Sequence, residues 1–128
     1  MMLLIGLGGA AGAFLRYQLG VWLLNRTTLR FPLGTFICNL SGSILLGILL
    51  ALHQKSAITD TLWLLTGVGF CGAFTTFSTF GYEVTTLLSN KKYGVAMIYI
   101  TSSVILGLIG AYLGMEAIRK GGIMALLT

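Results

Sequence analysis

The sequence predicts an all-α integral membrane protein with four transmembrane helices, the third of them broken in mid-membrane. Three observations lead there. The chain of 128 residues is 56% hydrophobic and only 9% charged, with a mean hydropathy of +0.95, whereas soluble domains carry about 25% charged residues. A soluble fold of this length leaves too much surface exposed to hide so much apolar side chain. The apolar residues fall into four runs, each close to the roughly 20 residues that a helix needs to cross a bilayer. The third run is dense in glycine and hydroxyl residues at its centre. All four runs belong to one membrane domain covering residues 1–128.

The first run spans about 3–24. Its start contains Ala11-Gly12-Ala13, which resembles a signal-peptide cleavage site. No positive segment precedes it and the apolar run continues past it, so it reads as a retained helix. Arg16 is the one charge well inside a span. Such a charge is costly and usually functional, but from this position it could also snorkel to the interface.

The second run spans about 33–52 and follows Pro32, the only proline. Proline suits a helix start because its missing N–H would be unpaired there anyway. Asn39 is the strongly polar residue of this run, in Thr35-Phe36-Ile37-Cys38-Asn39-Leu40-Ser41-Gly42. A carboxamide in hydrocarbon needs partners, so Asn39 is either glue between helices or a donor in a pore.

The third run, about 62–88, reads Thr66-Gly67-Val68-Gly69-Phe70-Cys71-Gly72-Ala73-Phe74-Thr75-Thr76-Phe77-Ser78-Thr79-Phe80-Gly81-Tyr82-Glu83. Glycines followed by alternating hydroxyls and phenylalanines make a poor uninterrupted helix. Broken helices occur at membrane depth where the freed backbone is buried in protein or lines a cavity. Freed carbonyls suit a cation such as sodium, and freed N–H groups suit an anion. The alternative is a kinked helix whose hydroxyls bond back to their own backbone. The fourth run spans about 93–118 and carries Tyr99, Thr101, Ser102 and Ser103, with Tyr99 and Ser103 on one face.

Gly8 and Gly12, Gly110 and Gly114, Ser43 and Gly47, and Ser103 and Gly107 are spaced as small-xxx-small pairs. Such pairs let helix backbones approach in lipid, and their density suggests an oligomer. With four spans, one side of the membrane holds Lys55, Arg119 and Lys120, and the other holds Arg26, Arg30, Lys91 and Lys92. Orientation is normally set by a cytoplasmic excess of Lys and Arg. Three against four is almost no excess. A chain without a bias can insert both ways, and two opposed copies would reproduce the inverted symmetry that many transporters carry within one chain.

Several functions are excluded or disfavoured. The net charge of +5 comes from scattered basic residues without a basic face, so they anchor the membrane interface and do not bind nucleic acid. Cys38 and Cys71 sit in apolar runs without metal-ligand spacing and read as small buried hydrophobes. His53, the one histidine, reads as interfacial. No nucleophile–base pair or phosphate-binding loop suggests an enzyme.

The run Gly72-Ala73-Phe74-Thr75-Thr76-Phe77-Ser78-Thr79-Phe80 followed by Glu83, with Gly34-Thr35 and Asn39 on the second span and Gly12 to Arg16 on the first, resembles the signature of the Fluc (CrcB) fluoride channels. The resemblance extends over the whole chain in length, span count and motif order. It implies a passive, fluoride-selective channel in the inner (plasma) membrane, built as an antiparallel, dual-topology homodimer with two pores. It implies that Asn39, Phe77 and Phe80 line the pore, that Ser78, Thr79, Tyr99 and Ser103 form a polar track, and that Arg16 lies at the pore entrance. It also implies a structural sodium ion held by the backbone carbonyls of Gly72 and Thr75 from both subunits. Gly81 and Gly107 depart from positions where the family often has hydroxyl residues. Two other readings stand beside this one. A small multidrug-type transporter would need a carboxylate in the first span, where this chain has Arg16. A non-transporting structural membrane protein remains if Asn39 and the break serve only to hold helices together.

Overall fold

The computed structural model describes residues 1–26 and 31–121. Arg30, most of the first connector and all but the first residue of the C-terminal tail lie outside the described residues. Among the described residues, four helical spans are long and apolar enough to cross a membrane. The first is α1 (Met2–Arg26) and the second α2 (Leu33–Gln54). The third runs over Asp60–Ser89 in pieces: α3 (Asp60–Trp63), a π-helical stretch (Leu64–Cys71), α4 (Gly72–Phe74) and α5 (Ser78–Ser89). The fourth is α6 (Tyr93–Arg119). The spans agree with those expected from sequence to within a few residues at each end.

The burial pattern is that of a protein whose solvent is lipid. Buried positions in the spans are mostly small: Gly8 and Gly12 on α1, Cys38, Gly42, Gly47 and Ala51 on α2, and Ala96, Gly110 and Gly114 on α6. Large apolar side chains such as Phe14, Trp22, Ile98, Leu108 and Tyr112 point outward. Hydrocarbon gives apolar side chains no reason to hide, so helices associate where small residues let backbones come together.

Two seams organise the fold. Along the first, α1 lies against the π-helical stretch and α4. Gly12 meets the Phe70 carbonyl so closely that a Cβ there would overlap it. Along the second, α2 lies against α6, and Gly47 meets the Ala111 backbone in the same way. Gly8 sits in the first seam, and Gly110 and Gly114 sit in the second. These glycines therefore serve contacts within one chain, and the expectation that their density reflects an oligomer draws no support from them.

The ends are fixed by polar contacts. Thr59 caps α3 by accepting from the Leu62 N–H at 3.2 Å. His53 stacks on Trp63 with ring centres 5.1 Å apart and hydrogen-bonds Asp60 at 2.9 Å. Lys55 donates to the Ile118 and Arg119 carbonyls at 3.0 and 3.1 Å, satisfying the end of α6 with a cation where the helix dipole is negative.

Candidate functional site

The site is organised by the break in the third span. Hydroxyls in this span do bond back to helix carbonyls, as Thr75 does to Cys71 at 2.8 Å and Thr66 to Leu62 at 2.7 Å. Those bonds do not keep the helix continuous. Thr75 is extended (φ −83°, ψ 155°), and α5 begins at Ser78. In an uninterrupted helix the Thr76 N–H would bond the Gly72 carbonyl. Here it donates to Asn39 Oδ1 at 2.8 Å, and Asn39 Nδ2 donates to the Thr76 carbonyl at 2.9 Å. One carboxamide thus pairs both backbone groups of the residue at the break, which hydrocarbon would leave at a cost of several kcal/mol. Asn39 is glue between helices in this sense. Its Nδ2 has two protons, so the second remains for another acceptor.

That second proton has somewhere to point. A cavity of about 330 Å³ is lined by Asn39, Ser43, Thr76, Phe77, Phe80 and Ser103. Ser103 Oγ is buried without a hydrogen-bond partner among the described residues. The phenylalanines stand with ring centres 6.1 Å apart, tilted by 33°. At the start of α5 the first N–H groups lack intrahelical acceptors; Thr79 N–H finds Thr76 Oγ1 at 3.3 Å. Asn39, two hydroxyl-bearing serines and two aromatic rings thus surround a space whose lining includes no carboxylate, an arrangement that suits a small anion.

On the other side of the Asn39–Thr76 pair lies a second cavity of about 270 Å³, whose lining includes Arg16, Thr35, Cys38, Thr76 and Thr79. A neighbouring cleft of about 210 Å³ shares Thr35 with it and reaches Glu83. Glu83 is the acid that follows the run of hydroxyls and phenylalanines in sequence. Thr35 Oγ1 donates to its Oε1 and the Tyr99 hydroxyl donates to its Oε2, both at 2.7 Å. Two hydroxyl donors are what an acid at this depth requires. Thr35 belongs to the site with it. The available signal was an acid five residues inside an expected span with no cation near it in sequence.

Asn39, Phe77, Phe80 and Ser103 therefore share one cavity. Thr79 faces the other cavity with Arg16, and Ser78 Oγ lies 3.4 Å from Thr76 Oγ1. Tyr99 stands apart from these residues. Its side chain is fully buried, with its ring 5.0 Å from Phe80 and 5.2 Å from Phe31, and its hydroxyl is spent on Glu83. It supports Phe80 from behind and does not line the cavity. Arg16 reaches inward, its Nη1 3.5 Å from the Thr75 carbonyl.

The backbone at the break can be tested against a sodium ion. Diverting the Thr76 N–H to Asn39 removes the helical donor of the Gly72 carbonyl, and Gly72 is exposed. The Thr75 carbonyl faces Arg16 but has a second lone pair. Both oxygens offer lone pairs of the kind that a hard cation takes.

Comparison with known proteins decides the family. Residues 3–115 match the profile of the family described as "CrcB-like protein, Camphor Resistance (CrcB)". The chain belongs to the CrcB family. Its relatives include "Fluoride-specific ion channel FluC 2" of Clostridium acetobutylicum, 49% identical over 87% of this chain and 92% of the relative. "Fluoride-specific ion channel FluC" of Oceanobacillus iheyensis is 44% identical over 90% of this chain and 88% of the relative. The protein of the same name from Acidobacterium capsulatum is 42% identical over 87% and 90%. The CrcB match covers the break and all but the outer ends of the first and last spans, so the cavity described above lies wholly within the shared region. These relatives are named as ion channels, not as enzymes, and the CrcB chain is a multi-pass membrane protein.

Proposed function

We propose that this chain is a passive, fluoride-selective channel of the inner membrane that lets fluoride leave the cell and so protects it. The observation that carries the reading is Ser103 Oγ, buried and unpartnered on the cavity that Asn39, Phe77 and Phe80 line. Fluoride is small and strongly hydrated, so a pore must replace its water with donors. Asn39 Nδ2 and the Ser103 hydroxyl supply them, and the phenylalanine edges face the ion without the grip of a full charge. Conduction needs binding strong enough to enter and weak enough to leave. HF enters from acid and dissociates inside. The negative interior then drives the anion out with about 2.3 kcal/mol per 100 mV. The names of the relatives supply the ion; the multidrug-type alternative lacks its carboxylate, since the first span carries Arg16.

The working unit in this reading is an antiparallel pair of chains. Phe77 is 83% exposed, and Gly72, Ser78 and Thr79 are exposed beside it. Irregular backbone and hydroxyls at membrane depth are tolerated only against protein or water, and a second copy in the opposite orientation would cover them. The Gly72 and Thr75 carbonyls of both copies would then hold the sodium ion, which ties the two breaks together. Fluoride efflux from reconstituted vesicles tests the channel, and F80I should stop the flux while leaving the folded dimer intact. Labelling of a cysteine placed in the second connector tests the topology. The expected result is about half of the chains labelled from each side, as near-zero charge bias requires; labelling from one side alone would contradict it.

A further inference from the structure

Ser43 lines the same cavity as Asn39 and Ser103. It sits one turn beyond Asn39 on α2, on the same helix face. Across the seam, Gly107 sits one turn beyond Ser103 on α6. The two meet: a Cβ built on Gly107 would lie 3.7 Å from Ser43 Oγ and touch nothing else within 4 Å. One turn further, Gly47 abuts the Ala111 backbone and the seam closes. The Ser43–Gly107 level is therefore the last open one along this seam, and Ser43 carries its only side-chain hydroxyl.

We infer that Ser43 is a further ion-contacting residue, the second hydroxyl donor that a fluoride ion meets after Ser103 as it leaves the cavity. In the ion's absence the Ser43 hydroxyl donates to the Asn39 carbonyl at 2.7 Å. That is an α2 backbone acceptor, and in a helix it retains its own N–H partner, so the hydroxyl can rotate away without stranding a buried group. The bare face of Gly107 leaves room for the ion opposite it. Position 107 thus sets how many hydroxyls surround the ion at this level: one here, two if a serine stood there. The inference rests on the channel reading and names one more residue of the same path.

The test moves the hydroxyl across the seam. Wild type, S43A, S43C, G107S and the double variant S43A/G107S are reconstituted in vesicles, and fluoride efflux is followed with an electrode. S43A is expected to slow efflux about tenfold, the loss of one donor to a charged group. S43C, which keeps the shape but offers a weak S–H donor, is expected to slow it as well. S43A/G107S is expected to recover efflux to near the wild-type rate, which a merely structural role for Ser43 would not produce. Efflux at the wild-type rate in S43A or S43C would overturn the inference while leaving the channel reading intact. So would a double variant as slow as S43A. Absence of fluoride efflux from wild-type protein would overturn the channel reading itself.

Discussion

Asn39 and Thr76 are joined by two hydrogen bonds, the amide of one side chain against the N–H and carbonyl of one residue, at 2.8 and 2.9 Å respectively. The pair holds the break open and stands between two cavities, because Thr76 lines both. N39D keeps the acceptor for the Thr76 N–H but sets a carboxylate oxygen against the Thr76 carbonyl and against any anion in the cavity. Fluoride flux should fall by about two orders of magnitude, the expected cost of a misplaced charge at this depth. N39A should lower the melting temperature in detergent by the equivalent of about 1–3 kcal/mol, because two backbone groups lose their partners. Unchanged flux in N39D would contradict the donor role.

Ser103 separates function from stability. Its hydroxyl has no partner among the described residues, so removing it costs no hydrogen bond within them. S103A should slow fluoride efflux about tenfold with a melting temperature equal to or above that of wild type. A clear loss of stability in S103A would mean that the hydroxyl serves the fold.

Thr35, Glu83 and Tyr99 form one network, with both hydroxyls on one carboxylate. T35V or Y99F alone leaves Glu83 one donor and should cost about 1–3 kcal/mol. Together they leave a carboxylate unpaired in a low-dielectric site. The double variant should therefore lose more than the sum, with a coupling of about 1 kcal/mol. Thermal unfolding of the four proteins measures this directly; additive losses would show that the two hydroxyls act separately.

The glycine seams predict a contrast. Gly12 and Gly47 face backbone atoms that cannot move aside, whereas Gly6 and Gly81 have nothing within 4 Å of an added Cβ. G12V and G47V should fail to yield folded protein from membranes. G6A and G81A should purify normally, each gaining helix propensity of up to about 1 kcal/mol. Size-exclusion profiles distinguish these outcomes.

How much of this was visible in the sequence depends on the range of the interaction. The four spans and the break were legible, because they follow from runs of local composition: apolar stretches, Pro32 before α2, and the glycines and hydroxyls around Thr75-Thr76. The π-helical form of Leu64–Cys71 was not, since its glycines signal a weak α-helix without saying which form replaces it. Asn39 was left between glue and donor, and the structure explains why: both ends of its carboxamide bond Thr76, and one Nδ2 proton is left for another acceptor. Contacts 48 residues apart, such as Thr35 with Glu83, leave no local pattern. The burial of Tyr99 behind Phe80 belongs to the same class. Ser43 went unremarked as a site because serines are common in membrane helices, and only its position opposite Gly107 sets it apart.

The most direct test is efflux from liposomes that contain the purified protein and are loaded with fluoride or chloride, with sodium supplied and the potential clamped by valinomycin. The account predicts rapid loss of fluoride and retention of chloride. Retention of fluoride by vesicles that hold folded, sodium-supplied dimer would contradict it.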